Sequence, residues 1–335
     1  MKKILLLGTG GTISSGGSDG LKPALSVDQI IMKVPGISDC FEISSEDILS
    51  LDSSNIQPEE WSYIASKINE KYKSYDGIVI THGTDTLSYT ACALSFMLRG
   101  IPVPVVLTGS QLPINDPLTD AFENLRHAFA MASSGKGGVF VAFGGKIILG
   151  CRAVKVRTVG FNAFESVNHP YVADICANAR LLPDDTSLPP AIEYRFKPNA
   201  SGNVFLIKLT PGFSPEIFDM LLEMGYDGIV IEAFGAGGLH YLHRDLPAKL
   251  GKFAEHEVPV IITSQCLYEK SDLRIYEVGR RVLESGAIDA GDMTTEAAFV
   301  KLKWMLGNGM TYSQIREKFR TNYAGEISLE NTNNV

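Results

Sequence analysis

The chain has 335 residues, of which 30 are basic and 38 acidic, giving a formal net charge of -8. That length exceeds what one hydrophobic core usually serves and suits two domains. With 45% apolar and 20% charged residues the composition is that of an ordinary globular protein. A mildly acidic chain without a Lys/Arg run has no electrostatic footprint for nucleic acid or an anionic membrane surface.

Met1-Lys2-Lys3 followed by Ile4-Leu5-Leu6-Leu7 imitates the start of a signal peptide. The apolar run stops at Gly8, too short for a signal core, and no small-residue cleavage site follows. A buried strand is expected instead. No window approaches 18 continuous apolar residues, the length a membrane span needs. The five cysteines, Cys40, Cys92, Cys151, Cys176 and Cys266, are irregularly spaced and form no CxxC pair. Free, mostly buried thiols in a reducing compartment are expected.

In chain order, apolar runs at 3–7, 77–81, 103–108 and 139–143 read as strands. Amphipathic stretches at 27–34, 59–72, 87–98 and 121–133 read as helices. Pro58 before Glu59 and Glu60 suits a helix first turn. A further strand is expected to end at Leu51-Asp52-Ser53-Ser54. Apolar strands spaced by helices predict a parallel sheet covered on both faces. The polar, Pro-rich stretch over 184–202 is the linker candidate. Beyond it, strands are expected at 204–209, 228–231 and 258–263, and helices at 215–224, 295–306 and 312–319. The reading is two α/β domains, 1–183 and 203–335, the first larger.

In open parallel sheets, ligands bind beyond the carboxyl ends of the strands. The first strand runs into Gly8-Thr9-Gly10-Gly11-Thr12, where glycines permit a sharp turn and present Thr12 at the sheet edge. A dinucleotide fingerprint needs glycine at position 13, where Ile13 stands. Gly16-Gly17-Ser18-Asp19-Gly20 matches GxSxG but lacks the strand-turn-helix setting of a nucleophile elbow. A later strand ends in Thr81-His82-Gly83-Thr84-Asp85-Thr86. Its hydroxyl and carboxylate suit a small substrate, or equally suit capping of the next helix. Asp52, Ser53 and Ser54 offer a carboxylate and two hydroxyls for charged substrate groups, though Asp-Ser-Ser is also a common turn. Lys155, between Val154 and Val156, is expected to be drawn inward, where desolvation favours its neutral, basic form. The six histidines form no HExxH, and His240 and His243 lack a third ligand, so no metal and no cofactor is expected. His82, ending a buried strand, reads more readily as a core residue than as a base.

Leu6-Leu7-Gly8-Thr9-Gly10-Gly11-Thr12-Ile13-Ser14 resembles the first signature of the asparaginase/glutaminase family, and residues 77–87 resemble the second. Similarity extends over nearly the whole chain and is strongest to the cytoplasmic, type I branch of L-asparaginases. The resemblance implies a larger flavodoxin-like N-terminal domain with a mostly parallel sheet and a smaller Rossmann-like α/β C-terminal domain. It implies hydrolysis of L-asparagine to L-aspartate and ammonia, with Thr12 as nucleophile and Thr84, Asp85 and Lys155 as a second catalytic group. Ser53 would bind the substrate α-carboxylate and Asp85 the α-ammonium. Asp52, Ser54 and, through its main chain, Ser110 would complete the pocket. A homodimer or dimer of dimers is implied. Two departures stand out. Leu21 occupies the loop position where many relatives carry a tyrosine. Cys266 resembles a cysteine of an allosteric asparagine site, but the matching threonine and arginine positions hold Val154 and Glu232. The nearest rival within the family is the asparaginase-like component of a tRNA-dependent amidotransferase, which carries an extra N-terminal domain. The rival from another class is a catalytically silent amino-acid-binding protein.

Overall fold

Ile4, Leu5, Leu6 and Leu7 are at most 1% exposed. They lie in the strand Lys2–Gly10, an interior strand paired on both sides. The computed structural model describes residues 1–16, 22–175 and 188–328. They divide into two units, Met1–Pro198 with Tyr323–Gly325 and Asn199–Asn322 with Glu326–Val335.

The first unit holds a seven-stranded sheet. Its order is Phe41–Leu51, Lys2–Gly10, Gly77–Thr81, Pro104–Thr108, Gly138–Phe143, Lys146–Leu149 and Ala173–Asp174. The first five of these run parallel. In chain order they sit 2-1-3-4-5, the flavodoxin arrangement, whose switch point lies between the first and third strands. Lys146–Leu149 runs antiparallel to both of its neighbours. A two-glycine turn, Gly144-Gly145, makes Gly138–Phe143 and Lys146–Leu149 a hairpin. The sheet is thus mostly parallel, as expected.

The helix Pro58–Lys71 begins with proline, where a missing N–H costs nothing, and is closed by reciprocal Gln57 and Glu60 bonds. Trp61, Ile64, Ala65 and Ile68 are its buried stripe. The strand Phe41–Leu51 is an edge strand with mostly exposed or half-exposed residues, so only its end is legible as a strand. Within the stretch expected as a linker, residues 184–187 lie outside the described residues. Arg195–Phe196, in the same stretch, pairs antiparallel with Leu98–Arg99. Tyr194 donates to Asn69 Oδ1 at 2.7 Å. Backbone pairing thus keeps this segment in the first unit up to Pro198.

The second unit carries a four-stranded parallel sheet, Val204–Lys208, Gly228–Ala233, Val260–Ser264 and Ile288–Asp289, in sequential order. Phe218 and Phe253 pack edge to face at 5.8 Å in its core, beside Ile231, Leu246 and Ile262. Lys301, on the helix Thr295–Gly307, is wholly buried against the equally buried Glu326 and donates to Thr321 O at 2.8 Å. Removing one partner strands a buried charge. Lys301→Met is therefore expected to lower the unfolding free energy by about 3–5 kcal/mol. Urea denaturation checks this, and a loss below about 1 kcal/mol would show that the pair is dispensable.

Candidate active site

The site forms at the switch point of the first sheet. Gly11 has φ +83°, a conformation that favours glycine. A Cβ there would stand 2.4 Å from Gly83 N and 2.5 Å from Gly83 Cα. A Cβ on Gly83 would in turn meet Ser53 Oγ at 2.7 Å and Gly11 Cα at 3.3 Å. Three turns from distant parts of the chain are thus in close contact, which no other residue type at these two positions allows. Thr12 and Thr84 each follow one 3.8 Å step beyond that contact, so their Cα atoms lie within about 12 Å of each other.

Thr12 opens the short 3-10 turn Thr12–Ser14 and is half-buried. Its hydroxyl makes no hydrogen bond among the described residues. The turn is pinned from behind, because the Ser14 and Ser15 hydroxyls both donate to Gly11 O, at 3.0 and 2.9 Å. Gly11 N donates to Leu51 O at 3.0 Å, so of the loop's N–H groups that one is already committed and cannot serve an oxyanion.

Thr84 is 6% exposed. Lys155 Nζ donates to Thr84 Oγ1 at 2.8 Å and to Asp85 Oδ1 at 2.6 Å. Lys155 ends the strand Ala153–Lys155, which pairs antiparallel with Phe164–Ser166. Its side chain is 17% exposed while that of Asp85 is 65% exposed, so an inward ammonium meets an outward carboxylate. The capping alternative fails for this helix. Leu87–Met97 has no side-chain cap, and its N-cap residue Thr86 gives its hydroxyl to Ser53 O at 2.6 Å. Ser53 is 3% exposed and its Oγ accepts from Asp85 N at 3.3 Å. It therefore ties the 52–54 turn to the 83–86 turn.

Asp52 and Ser54 are both exposed, and their side chains bind each other. Asp52 Oδ1 accepts from Ser54 Oγ at 2.6 Å and from Ser54 N at 2.8 Å. These bonds hold the Asp52 carboxyl below the usual carboxylate range. Ser110 is 1% exposed and gives its hydroxyl to Leu112 O at 2.5 Å. Its neighbour Gly109 lies against His82 O, 2.3 Å from a would-be Cβ. Beside it, Gln111 Oε1 accepts from Thr84 Oγ1 at 3.4 Å. Sequence reasoning does not single out Gln111; its only signal is adjacency to Ser110 at a strand end.

The loop with Leu21 and most of the GxSxG match, residues 17–20, lie outside the described residues, as does Cys176. Val154 is 6% exposed in the first unit. In the second unit Glu232 pairs with Lys208 at 3.3 Å, and Cys266 is an exposed free thiol. No group of three or more His, Cys, Asp or Glu suited to a metal occurs among the described residues. Among them, no helix is long and apolar enough to cross a membrane.

Comparison with known proteins assigns both parts of the chain to one family. Residues 3–185 match the family described as asparaginase, N-terminal, and residues 203–319 match the glutaminase/asparaginase C-terminal domain. The chain belongs to the asparaginase family. It is similar to an L-asparaginase of Thermococcus kodakarensis, 48% identical over 329 residues, covering 97% of this chain and 99% of that one. The solved structure of the thermostable L-asparaginase from that organism superposes with a TM-score of 0.89 at 47% identity, covering 98% and 99%. L-asparaginase I of Vibrio cholerae superposes with a TM-score of 0.87 at 31% identity and the same coverage. A component of the glutamyl-tRNA(Gln) amidotransferase of Pyrococcus abyssi is 36% identical, covering 98% of this chain and 77% of that one.

His82 shows what this asparaginase-family site does not use. It is wholly buried, and its Nδ1–H donates to Gly83 O at 2.7 Å while Nε2 accepts from Thr90 Oγ1 at 2.9 Å. Burial lowers its pKa from 6.5 to about 4. Both ring nitrogens are engaged, so it braces the 82–84 turn and has no nitrogen left to act as a base. Because the folded pKa lies below the unfolded one, the unfolded chain takes up the proton first. The stability His82 contributes is complete above about pH 6.5 and drains away as pH falls toward 4, by at most about 3 kcal/mol. Unfolding free energies from pH 7 to 4.5 should therefore fall more steeply in the wild type than in His82→Gln. Parallel slopes would mean the ring is not held neutral.

Proposed function

We propose that this chain hydrolyses L-asparagine to L-aspartate and ammonia through an acyl-enzyme on Thr12. The observation that carries the reading is the Lys155–Thr84–Asp85 cluster in backbone contact, through Gly83 and Gly11, with a threonine whose hydroxyl is uncommitted among the described residues. Likeness to an L-asparaginase over nearly its whole length supports the substrate.

An amide resists attack because its carbonyl carbon is electron-rich and its nitrogen is a poor leaving group, and covalent catalysis splits that barrier in two. Thr12 Oγ1 forms a bond to the side-chain amide carbon of asparagine. The hydroxyl proton reaches the amide nitrogen by the Thr84–Lys155 relay, the C–N bond breaks, and ammonia leaves. Water then adds to the β-aspartyl ester, its proton returns to Thr12 Oγ1, and aspartate departs. Lys155 enters as a donor to Thr84 and Asp85, so its service as a base begins once it has passed a proton on. With Gly11 N occupied, the N–H groups of Thr12, Gly83 and Thr84 are the remaining main-chain candidates for the oxyanion.

Ser53 and Asp85 are read as the holders of the α-carboxylate and α-ammonium. Asp52 and Ser54 are read as the turn that presents Ser53. The reading extends to a cytoplasmic homodimer or dimer of dimers, with no cofactor, nucleic acid or membrane partner. Cys92 and Cys151 are buried, Cys40 and Cys266 are exposed, and none of these thiols is in a disulfide, which suits a reducing compartment. Light scattering of the pure protein tests the assembly.

Ammonia release from asparagine by the chain alone, without tRNA or a partner protein, tests the reaction; aspartate binding without turnover would sink it. Thr12→Ala should keep its melting temperature and lose at least about a thousandfold in kcat. Lys155→Met should lose about a hundredfold or more and change the shape of the pH–rate profile. An unaltered profile would remove the lysine from the mechanism.

A further inference from the structure

We propose that Gln111 is a positioning residue that fixes the direction of the Thr84 hydroxyl proton and so makes Thr84 an acceptor toward the reacting groups. The inference rests on the hydrolysis proposed above and adds a residue to it.

The Gln111 amide has only one workable orientation. Its Nε2 donates to Thr158 O and to Gly160 O, both at 3.1 Å. Turning the amide over would set Oε1 against two carbonyl oxygens and forfeit both bonds. The backbone beneath is equally fixed. Gln111 N donates to both Asp120 carboxylate oxygens at 3.0 Å, and Leu112 N donates to one of them at 3.1 Å. Asn124 Nδ2 bridges Asp120 Oδ2 and Gly109 O, both at 3.0 Å. Oε1 is therefore held as a bare acceptor facing Thr84.

Thr84 Oγ1 has one proton and two lone pairs. Lys155 Nζ, which can only donate, takes one lone pair at 2.8 Å. The proton must go to an acceptor, and Gln111 Oε1 is the one provided. That leaves a single lone pair uncommitted. A 3.4 Å separation is long for an O–H···O bond, so the contact contributes direction more than strength. Without it the proton is free to rotate into the remaining direction, where it would oppose an incoming proton from Thr12 or from the hydrolytic water.

Two substitutions separate this role from simple packing. Gln111→Met keeps the volume and removes the acceptor. It should lower kcat about tenfold and leave KM within about threefold, because binding groups are untouched. Gln111→Glu keeps an acceptor for Thr84, but when ionised its second oxygen faces the Thr158 and Gly160 carbonyls. Protonation restores a donor there. The ratio of Gln111→Glu kcat to wild-type kcat should therefore rise about fivefold or more from pH 8 to pH 5. A packing role would leave that ratio flat. An active wild type together with Gln111→Met at wild-type kcat, or with a flat Gln111→Glu ratio, overturns the inference alone. A wild type that releases no ammonia from asparagine overturns the reaction and the inference together. Should Gln111→Met fail to fold, the Gln111→Glu ratio decides by itself.

Discussion

Backbone-to-backbone contact between Gly11 and Gly83 is the constraint on which the site depends. Each approach leaves no room for a Cβ. In the 2-1-3-4-5 sheet the first and third strands are neighbours whose following segments depart to opposite faces, which opens a crevice at their carboxyl ends. The two glycine turns meet in that crevice. The cost is a left-handed conformation at Gly11. Hydroxyl bonds from Ser14 and Ser15 to its carbonyl, and the Leu51 carbonyl on its N–H, hold the turn in place.

Around that contact, polar groups are sorted into those that bind each other and those left for a ligand. His82 has both ring nitrogens engaged inside the core. Asp52 and Ser54 satisfy one another. Thr86 is spent on Ser53. What remains is an uncommitted Thr12 hydroxyl, an ammonium shared between Thr84 and Asp85, and a carboxylate reaching toward solvent. Buried polar groups are costly unless paired, so the groups left open are those for which a ligand is the natural partner. This sorting supports the amidohydrolase reading more strongly than the presence of the residue types does.

Lys155 shows how local sequence and tertiary setting divide the work. Flanking valines announce that the lysine turns inward, and its side chain is mostly buried. The step from burial to a neutral base does not anticipate how close the carboxylate stands. Asp85 Oδ1 at 2.6 Å is a partner that the residues flanking Lys155 do not announce. Gln111 makes the complementary point. A half-buried glutamine has no periodic or motif signal, and its importance arises from carbonyls at 158 and 160 that lie far along the chain.

Much of the chemistry is legible without coordinates. Glycine-threonine runs at two strand ends, and the apolar, β-branched character of the strands before them, follow from local rules of backbone freedom and burial. Fold class follows from the alternation of those strands with helical stripes. All but the end of the edge strand Phe41–Leu51 escapes a sequence reading because an exposed strand needs no apolar run, as do the short hairpin strand Lys146–Leu149 and the pairing that keeps Arg195–Phe196 in the first unit. Strand order, the commitment of Gly11 N, and the choice between capping and catalysis for Thr84 and Asp85 were decided only in three dimensions. Each depends on which distant atom arrives within about 3 Å, a distance that hydrogen bonding enforces and chain spacing does not encode.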